Sequence, residues 1–326
     1  MNGLLRGVRW YDGARPVRAD PADRDRLPAD TWDRATVPAG VRLEFMTGGG
    51  GARAVEVAYS GSAPLAADAY RPSEPVFTLL RGEDTIAEAA AKAAPDSVVR
   101  LELPPDEGPF TLHLPETLRP VLHSVRGIGG ALDAVPARPP LLVYGDSIAE
   151  GWSASRPHRA WPAVAGRALG LDTVNLGYAG AARGELASAE QLAALPGAVI
   201  TVAFGTNCWS RTPHSAPLLR EQVCAFLALV RRGHPHTPLL VASPVLRPDA
   251  EDTPNALGAT LAELRSAVEE AARAEGVALL PGAELLRAEH LVDGVHPGDA
   301  GHARIATATA KALRPLLGDP PPVTTP

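Results

Sequence analysis

Between about Val41 and Ile128 apolar residues recur at every second position. Phe110, Leu112 and Leu114 alternate with Thr111 and His113, Val99, Leu101 and Leu103 with Arg100 and Glu102, and Val55, Val57 and Tyr59 with Ala54, Glu56 and Ala58. A period of two turns one face of a strand to a core and the other to solvent. Prolines and glycines separate the runs, which predicts an antiparallel, jelly-roll-like β-sandwich over residues 1–136. Within that stretch only Thr85 to Ala94, rich in Ala, reads as helix.

The proline-rich segment Asp133–Pro140 reads as a linker, with the boundary near residue 137. Beyond it the pattern changes. Leu141–Tyr144, Thr173–Leu176, Ala198–Phe204, Leu239–Ser243 and Val277–Leu280 are short, nearly continuous apolar runs bounded by Gly or Pro. Continuous apolarity means that both faces of the sheet are covered. Between these runs Leu219, Val223, Phe226 and Val230, and then Leu257, Leu261, Leu264 and Val268, keep helical spacing, and Asp299 is placed to cap a last helix carrying Ile305 and Leu313. Residues 137–318 are therefore expected to form a three-layer α/β/α domain around a parallel five-stranded sheet. The Pro- and Thr-rich segment 319–326 is expected to be disordered.

A chain of 326 residues exceeds what one hydrophobic core usually serves, which agrees with two domains. The net charge is −6 and the Lys and Arg are scattered, so neither nucleic acid nor a membrane surface is expected as a partner. No apolar run is long enough to span a bilayer, and arginines interrupt the first ten residues before a signal-peptide core forms, which gives a cytoplasmic expectation. Cys208 and Cys224 read as free thiols, the latter in a helical core, and no Cys/His spacing suggests a metal. Gly48–Gly51 lacks the Gly-Lys-Ser/Thr of a phosphate loop, and Gly127-Ile-Gly129-Gly130 lacks the third glycine of a dinucleotide fingerprint, so no cofactor is expected.

Open parallel sheets bind ligands beyond the carboxyl ends of their strands. Ser147 follows the first predicted strand of this half, Gly177 the second and Gly205-Thr206-Asn207 the third, while Asp293 and His296 lie on the loop after the fifth. A serine hydroxyl becomes a nucleophile at neutral pH when a base stands within hydrogen-bond reach and a third group orients that base. Asp293 and His296 are three residues apart, so one loop can present both. The α/β-hydrolase elbow Gly-x-Ser-x-Gly is absent, because Ala149 occupies its last position. Around these blocks Trp152, Arg156 and His158, and Trp209, Arg211 and His214, are candidate crevice residues; the tryptophans suit an apolar or sugar-stacking wall.

Gly145-Asp146-Ser147-Ile148, Gly177, Gly205-Thr206-Asn207 and Asp293-x-x-His296, in that order, resemble the blocks of the SGNH (GDSL) hydrolase family over about Leu141 to Leu316. The resemblance implies a flavodoxin-like domain in which Ser147 is the nucleophile, His296 its base and Asp293 the orienting acid. It implies an oxyanion hole made of the backbone N–H groups of Ser147 and Gly177 and the side-chain amide of Asn207. Two positions depart from the pattern: Cys208 stands where Asp is frequent, and Ala149 where Thr or Ser is frequent. The expected activity is serine-dependent carboxylic-ester hydrolysis of a small-molecule ester. The alternatives are acyl transfer to a sugar or polyketide hydroxyl and, from another class, a non-catalytic binding module.

Overall fold

The computed structural model describes residues 3–48, 51–66, 68 and 74–317, so the expected disordered segment 319–326 lies outside the described residues. The chain begins with β1 (Leu5–Arg6), β2 (Trp10–Asp12), β3 (Arg15–Val17), a 3-10 turn (Pro21–Arg26) and α1 (Ala29–Ala35). Strands follow: β4 (Arg42–Thr47), β5 (Ala54–Ser60), β6 (Val76–Arg81), β7 (Asp84–Ala90), β8 (Ser97–Glu102), β9 (Phe110–His113), β10 (Val121–Ile128) and β11 (Leu132–Ala134). One antiparallel sheet runs β1-β4-β9-β6-β7, with β11 on β4, and a second runs β10-β5-β8. Their inward residues, among them Leu43, Phe45, Val55, Val57, Phe77, Leu79, Leu101 and Leu112, form one buried core between the sheets. The alternation read from the sequence produces this sandwich directly.

Two expectations for this half are corrected. Thr85–Ala94 is not helical: β7 pairs with β6, setting Ala87 opposite Leu79 and Ala89 opposite Phe77. The helix preference of Ala is weak, and pairing against a strand whose Phe77 and Leu79 are buried outweighs it. The sandwich also does not hold all of residues 1–136. Ala19, Leu27, Trp32 and Ala35 pack into the core of the following α/β half, alongside Tyr144, Leu176 and Tyr178. Dense charge at Asp20, Asp23, Arg24, Asp25, Arg26, Asp30, Asp33 and Arg34 masks those few apolar residues in the sequence.

The second half comprises β12 (Pro140–Gly145), α2 (Ser147–Glu150), α3 (Trp161–Leu169), β13 (Asp172–Gly177), α4 (Leu186–Ala194), β14 (Val199–Ala203), α5 (Asn207–Ser210), α6 (Ala216–Gly233), β15 (Leu239–Ala242), α7 (Leu261–Ala274), β16 (Ala278–Leu280) and α8 (Asp299–Leu317). The sheet is parallel throughout, in the order β13-β12-β14-β15-β16. Its alternate residues divide between two cores. Leu142, Tyr144, Ile200 and Val202 face α4, α6 and α7, whereas Leu141, Val143, Val199 and Leu240 face α3 and α8. Leu257, read with the helical set, lies ahead of α7 and is 55% exposed. Asp299 opens α8 as its first residue, and its carboxylate accepts from the Ser155 N–H (2.8 Å) and hydroxyl (2.7 Å), tying the loop after α2 to α8. Among the described residues no helix is long and apolar enough to cross a membrane.

Trp32 joins the N-terminal segment to the α/β core, and Trp32→Ala is expected to destabilise the protein by about 3 kcal/mol in denaturant titration; a loss below about 1 kcal/mol would mean that this segment is not part of that core.

Candidate active site

β12 ends at Gly145, where the chain runs so close to β14 and α2 that a Cβ would stand 2.4 Å from the Ala203 carbonyl oxygen and 2.5 Å from the Ala149 Cβ. Glycine is required there. Asp146 then caps α2, accepting from the Ile148 N–H at 3.0 Å. Burial pushes its carboxyl up to about 6 against the opposing effect of N–H groups from Ile148, Ala149, Asp146 and Thr206. Ser147 is the first helical residue, so its own N–H has no intrahelical acceptor.

The loop after β16 delivers the other two groups. Asp293 Oδ1 accepts from the Val295 N–H (3.0 Å) and the His296 N–H (2.7 Å), closing a tight turn through Gly294 at φ +81°. Asp293 Oδ2 takes His296 Nδ1 at 2.7 Å, and His296 Nε2 lies 2.9 Å from Ser147 Oγ. The three-residue spacing lets one carboxylate hold both the backbone and the ring. Burial acts to raise the Asp293 pKa, but hydrogen bonds from the His296 side chain and backbone hold it below the ordinary value. With Nδ1–H donating to this carboxylate, Nε2 is the ring acceptor facing the serine hydroxyl. The Trp152 ring lies 5.5 Å from the His296 ring.

Of the expected oxyanion donors, Gly177 is not at the cleft. It is the last residue of β13, its N–H donates to Asn175 Oδ1 at 2.8 Å, and a Cβ on it would meet the Glu150 nitrogen at 2.4 Å. The glycine that lines the cleft with Ser147, Asn207 and His296 is Gly180, three residues further on. Its N–H has no acceptor among the described residues. Asn207 donates one amide hydrogen to the Ala182 carbonyl at 3.0 Å, which orients its second toward the cleft. Gly-Tyr-Ala-Gly offered two glycines; strand geometry excludes the first, because a residue still in the strand has its N–H directed along the sheet.

A buried ionic cluster missed in the sequence stands behind these groups. Glu150, at the end of α2, accepts from the Ala179 N–H at 2.9 Å, from Arg18 Nη2 at 3.3 Å and from Arg34 Nε at 3.2 Å, and Arg34 Nη2 binds its other oxygen. Arg18 also donates to the carbonyls of Val37, Arg34 and Gly177, and Arg34 to Asp68 at 2.9 Å. Burial acts to lower the Arg34 pKa, but Glu150 and Asp68 raise it above the ordinary guanidinium value. Nothing in the spacing of Arg18, Arg34 and Glu150 announces this cluster, because the three lie on separate segments.

The cleft measures about 270 Å³, and its wall also includes Trp152, Thr206, Ser210, Arg211 and Arg247. The remaining candidates lie elsewhere. Arg156 pairs with Glu88 of β7 at 2.6 Å, joining the two halves, and His158 is buried against His113. Trp209 packs beneath the Arg247 guanidinium, and buried His214 binds Gln222. His302 takes the Trp161 N–H on Nδ1 and donates from Nε2 to the Trp152 carbonyl, a neutral packed ring that burial holds down at about 4. Cys208 faces the α/β core, where burial raises its thiol pKa, and Cys224 packs against that core half-buried. Among the described residues no group of three or more His, Cys, Asp or Glu could hold a metal ion.

Residues 143–304 match the GDSL-like lipase/acylhydrolase family. No curated protein matches the sequence. Among solved structures, a salicylyl-acyltransferase from a tetracycline biosynthetic pathway, SsfX3, superposes with a TM-score of 0.84 at 24% identity, over 96% of this chain and 94% of its own. A protein of Bacteroides ovatus described as a GDSL-like lipase gives 0.77 at 22% identity over 96% and 95%. A family two carbohydrate esterase of Clostridium thermocellum gives 0.67 at 15% over 97% and 98%. At these identities the likeness is one of fold, and it extends over both halves of the chain.

Asp146 supplies a pH test. Its folded pKa is raised, so the ionised form is penalised in the folded state; that penalty is absent below about pH 4 and grows as pH rises to about 6. Asp146→Asn keeps a capping oxygen and cannot ionise. The melting temperature of Asp146→Asn relative to the native protein is expected to rise between pH 4 and pH 6, and a flat difference would contradict the assignment.

Proposed function

Because residues 143–304 constitute a GDSL-like lipase/acylhydrolase domain, we propose that the protein is a serine-dependent carboxylic-ester hydrolase working through an acyl-enzyme on Ser147. The observation that carries this reading is the continuous hydrogen-bonded line Ser147 Oγ–His296–Asp293, at 2.9 and 2.7 Å, opening into a cleft. In this reading Ser147 Oγ bonds to the acyl carbon while its proton passes to His296 Nε2. Asp293 stabilises the imidazolium that results. The carbonyl oxygen becomes an oxyanion facing the N–H groups of Ser147 and Gly180 and the Asn207 amide. Collapse breaks the bond to the leaving oxygen, which takes the proton from His296. Water then gives up a proton to the same nitrogen as it attacks the acyl carbon; collapse breaks the bond to Ser147 Oγ, which takes that proton back from His296, and the acid is released.

Acyl transfer is the second reading, supported by the full-length likeness of fold to a salicylyl-acyltransferase. It differs only in the last step, where an alcohol hydroxyl replaces water and an ester leaves. In both readings the partners are a small-molecule acyl donor and an oxygen nucleophile, with no cofactor taking part.

Turnover of p-nitrophenyl acetate, butyrate and octanoate is expected to be serine-dependent. Ser147→Ala and His296→Ala are each predicted to lower kcat roughly 10³-fold or more, and Asn207→Ala on the order of 10²-fold. Full activity in Ser147→Ala would sink the assignment. A burst of nitrophenol that stalls in water and resumes when a sugar or polyketide alcohol is added would select the transferase reading.

A further inference from the structure

The cleft has a charged wall that the acyl chemistry does not use. Two arginines, Arg211 and Arg247, line it together with Ser147 and His296, and no acidic residue is among its lining residues. The wall is cationic in a chain that has 37 acidic against 31 basic side chains, so general surface charge does not account for it.

The two arginines are held differently. Arg247 is 13% exposed and grips Asp249 through Nε (2.9 Å) and Nη2 (3.1 Å), while its guanidinium lies 4.7 Å over the Trp209 ring, itself fixed by an indole N–H bond to the Thr253 carbonyl at 2.8 Å. Asp249 occupies one edge of that fork, and Nη1 has no acceptor among the described residues. Arg211 follows α5, the helix that begins with Asn207, and its side chain has no hydrogen-bond or ion-pair partner among the described residues. Its guanidinium lies over Gly180: a Cβ built there would stand 3.6 Å from Nε and 3.8 Å from Nη2. An unpaired cation thus stands beside a proposed oxyanion donor.

Guanidinium is weakly hydrated and presents a rigid fork matched to carboxylate and phosphate, so two such groups on one wall favour an anion. We infer that the substrate is anionic: a carboxylate or phosphate group, on either the acyl or the leaving side of the scissile bond, is held by Arg211 with Arg247 in support. This rests on the proposed acyl-enzyme chemistry of the same cleft and narrows its substrate class. Trp152, on the same cleft, gives the uncharged part of the substrate a flat apolar surface.

The test compares matched substrate pairs on the full chain. For an anion on the acyl side, p-nitrophenyl hemisuccinate is set against p-nitrophenyl butyrate. For an anion on the leaving side, acetyl-coenzyme A is set against S-acetyl-N-acetylcysteamine, which shares the thioester and lacks the phosphates. In at least one pair kcat/KM is expected to favour the anionic member about tenfold or more. That ratio is expected to fall about tenfold in Arg211→Gln, to persist largely in Arg211→Lys, and to shrink with added salt. Selectivity in the first pair alone assigns a carboxylate on the acyl group, and in the second alone phosphate on the leaving group. Ratios at or below one in both pairs, or a ratio unmoved by Arg211→Gln, overturn the inference. Turnover of the neutral esters that still requires Ser147 would show that the anion site, and not the ester chemistry, had failed.

Discussion

The carboxylate of Glu150 is the constraint around which the active site is built. It is removed from water, and a buried charge left without partners costs several kcal/mol, so its position is dictated by the N–H groups around it. α2 has only four residues and cannot hold its own conformation by helix formation alone. Glu150 fixes the far end of that helix to Arg18 and Arg34, and the same carboxylate binds the Ala179 N–H beside Gly180. The serine and an oxyanion donor are thereby referred to one anchor. A cluster of this kind is weak evidence for stability; what it supplies is a single geometry.

Both arginines come from the N-terminal segment, which gives that segment a role the two-domain division conceals. Residues 18–35 contribute apolar side chains to the α/β core, while Arg18 and Arg34 reach the back of the site. The sandwich reaches the α/β half through further charged contacts, with Arg42 on Asp172 at 2.6 Å and Glu88 on Arg156. The halves are distinct in their cores and joined at the site.

What the sequence made legible follows from local rules. Continuous apolar runs announced the five parallel strands, and alternation announced the sandwich strands, because burial on two faces or one writes directly into the pattern. Ser147 and Asn207 are legible just past strand ends and Asp293 and His296 on the loop after β16, all four in ordered blocks that resemble a family pattern. Gly177 carries no side chain to show whether its N–H belongs to a strand or to the loop beyond, so the sequence does not exclude it and Gly180 is not legible there. Thr85–Ala94 reads as helix from its composition, whereas its pairing with β6 is a long-range fact. The Glu150 cluster was invisible for the same reason: ion pairs between residues 116 and 132 positions apart leave no local period.

Ser147, activated by His296 and Asp293, is proposed as the single acyl-accepting nucleophile. Mass spectrometry of the full chain after treatment with a fluorophosphonate tests it most directly. One adduct is expected, located on Ser147 and lost in His296→Ala; no adduct, or one on another residue, would contradict that role.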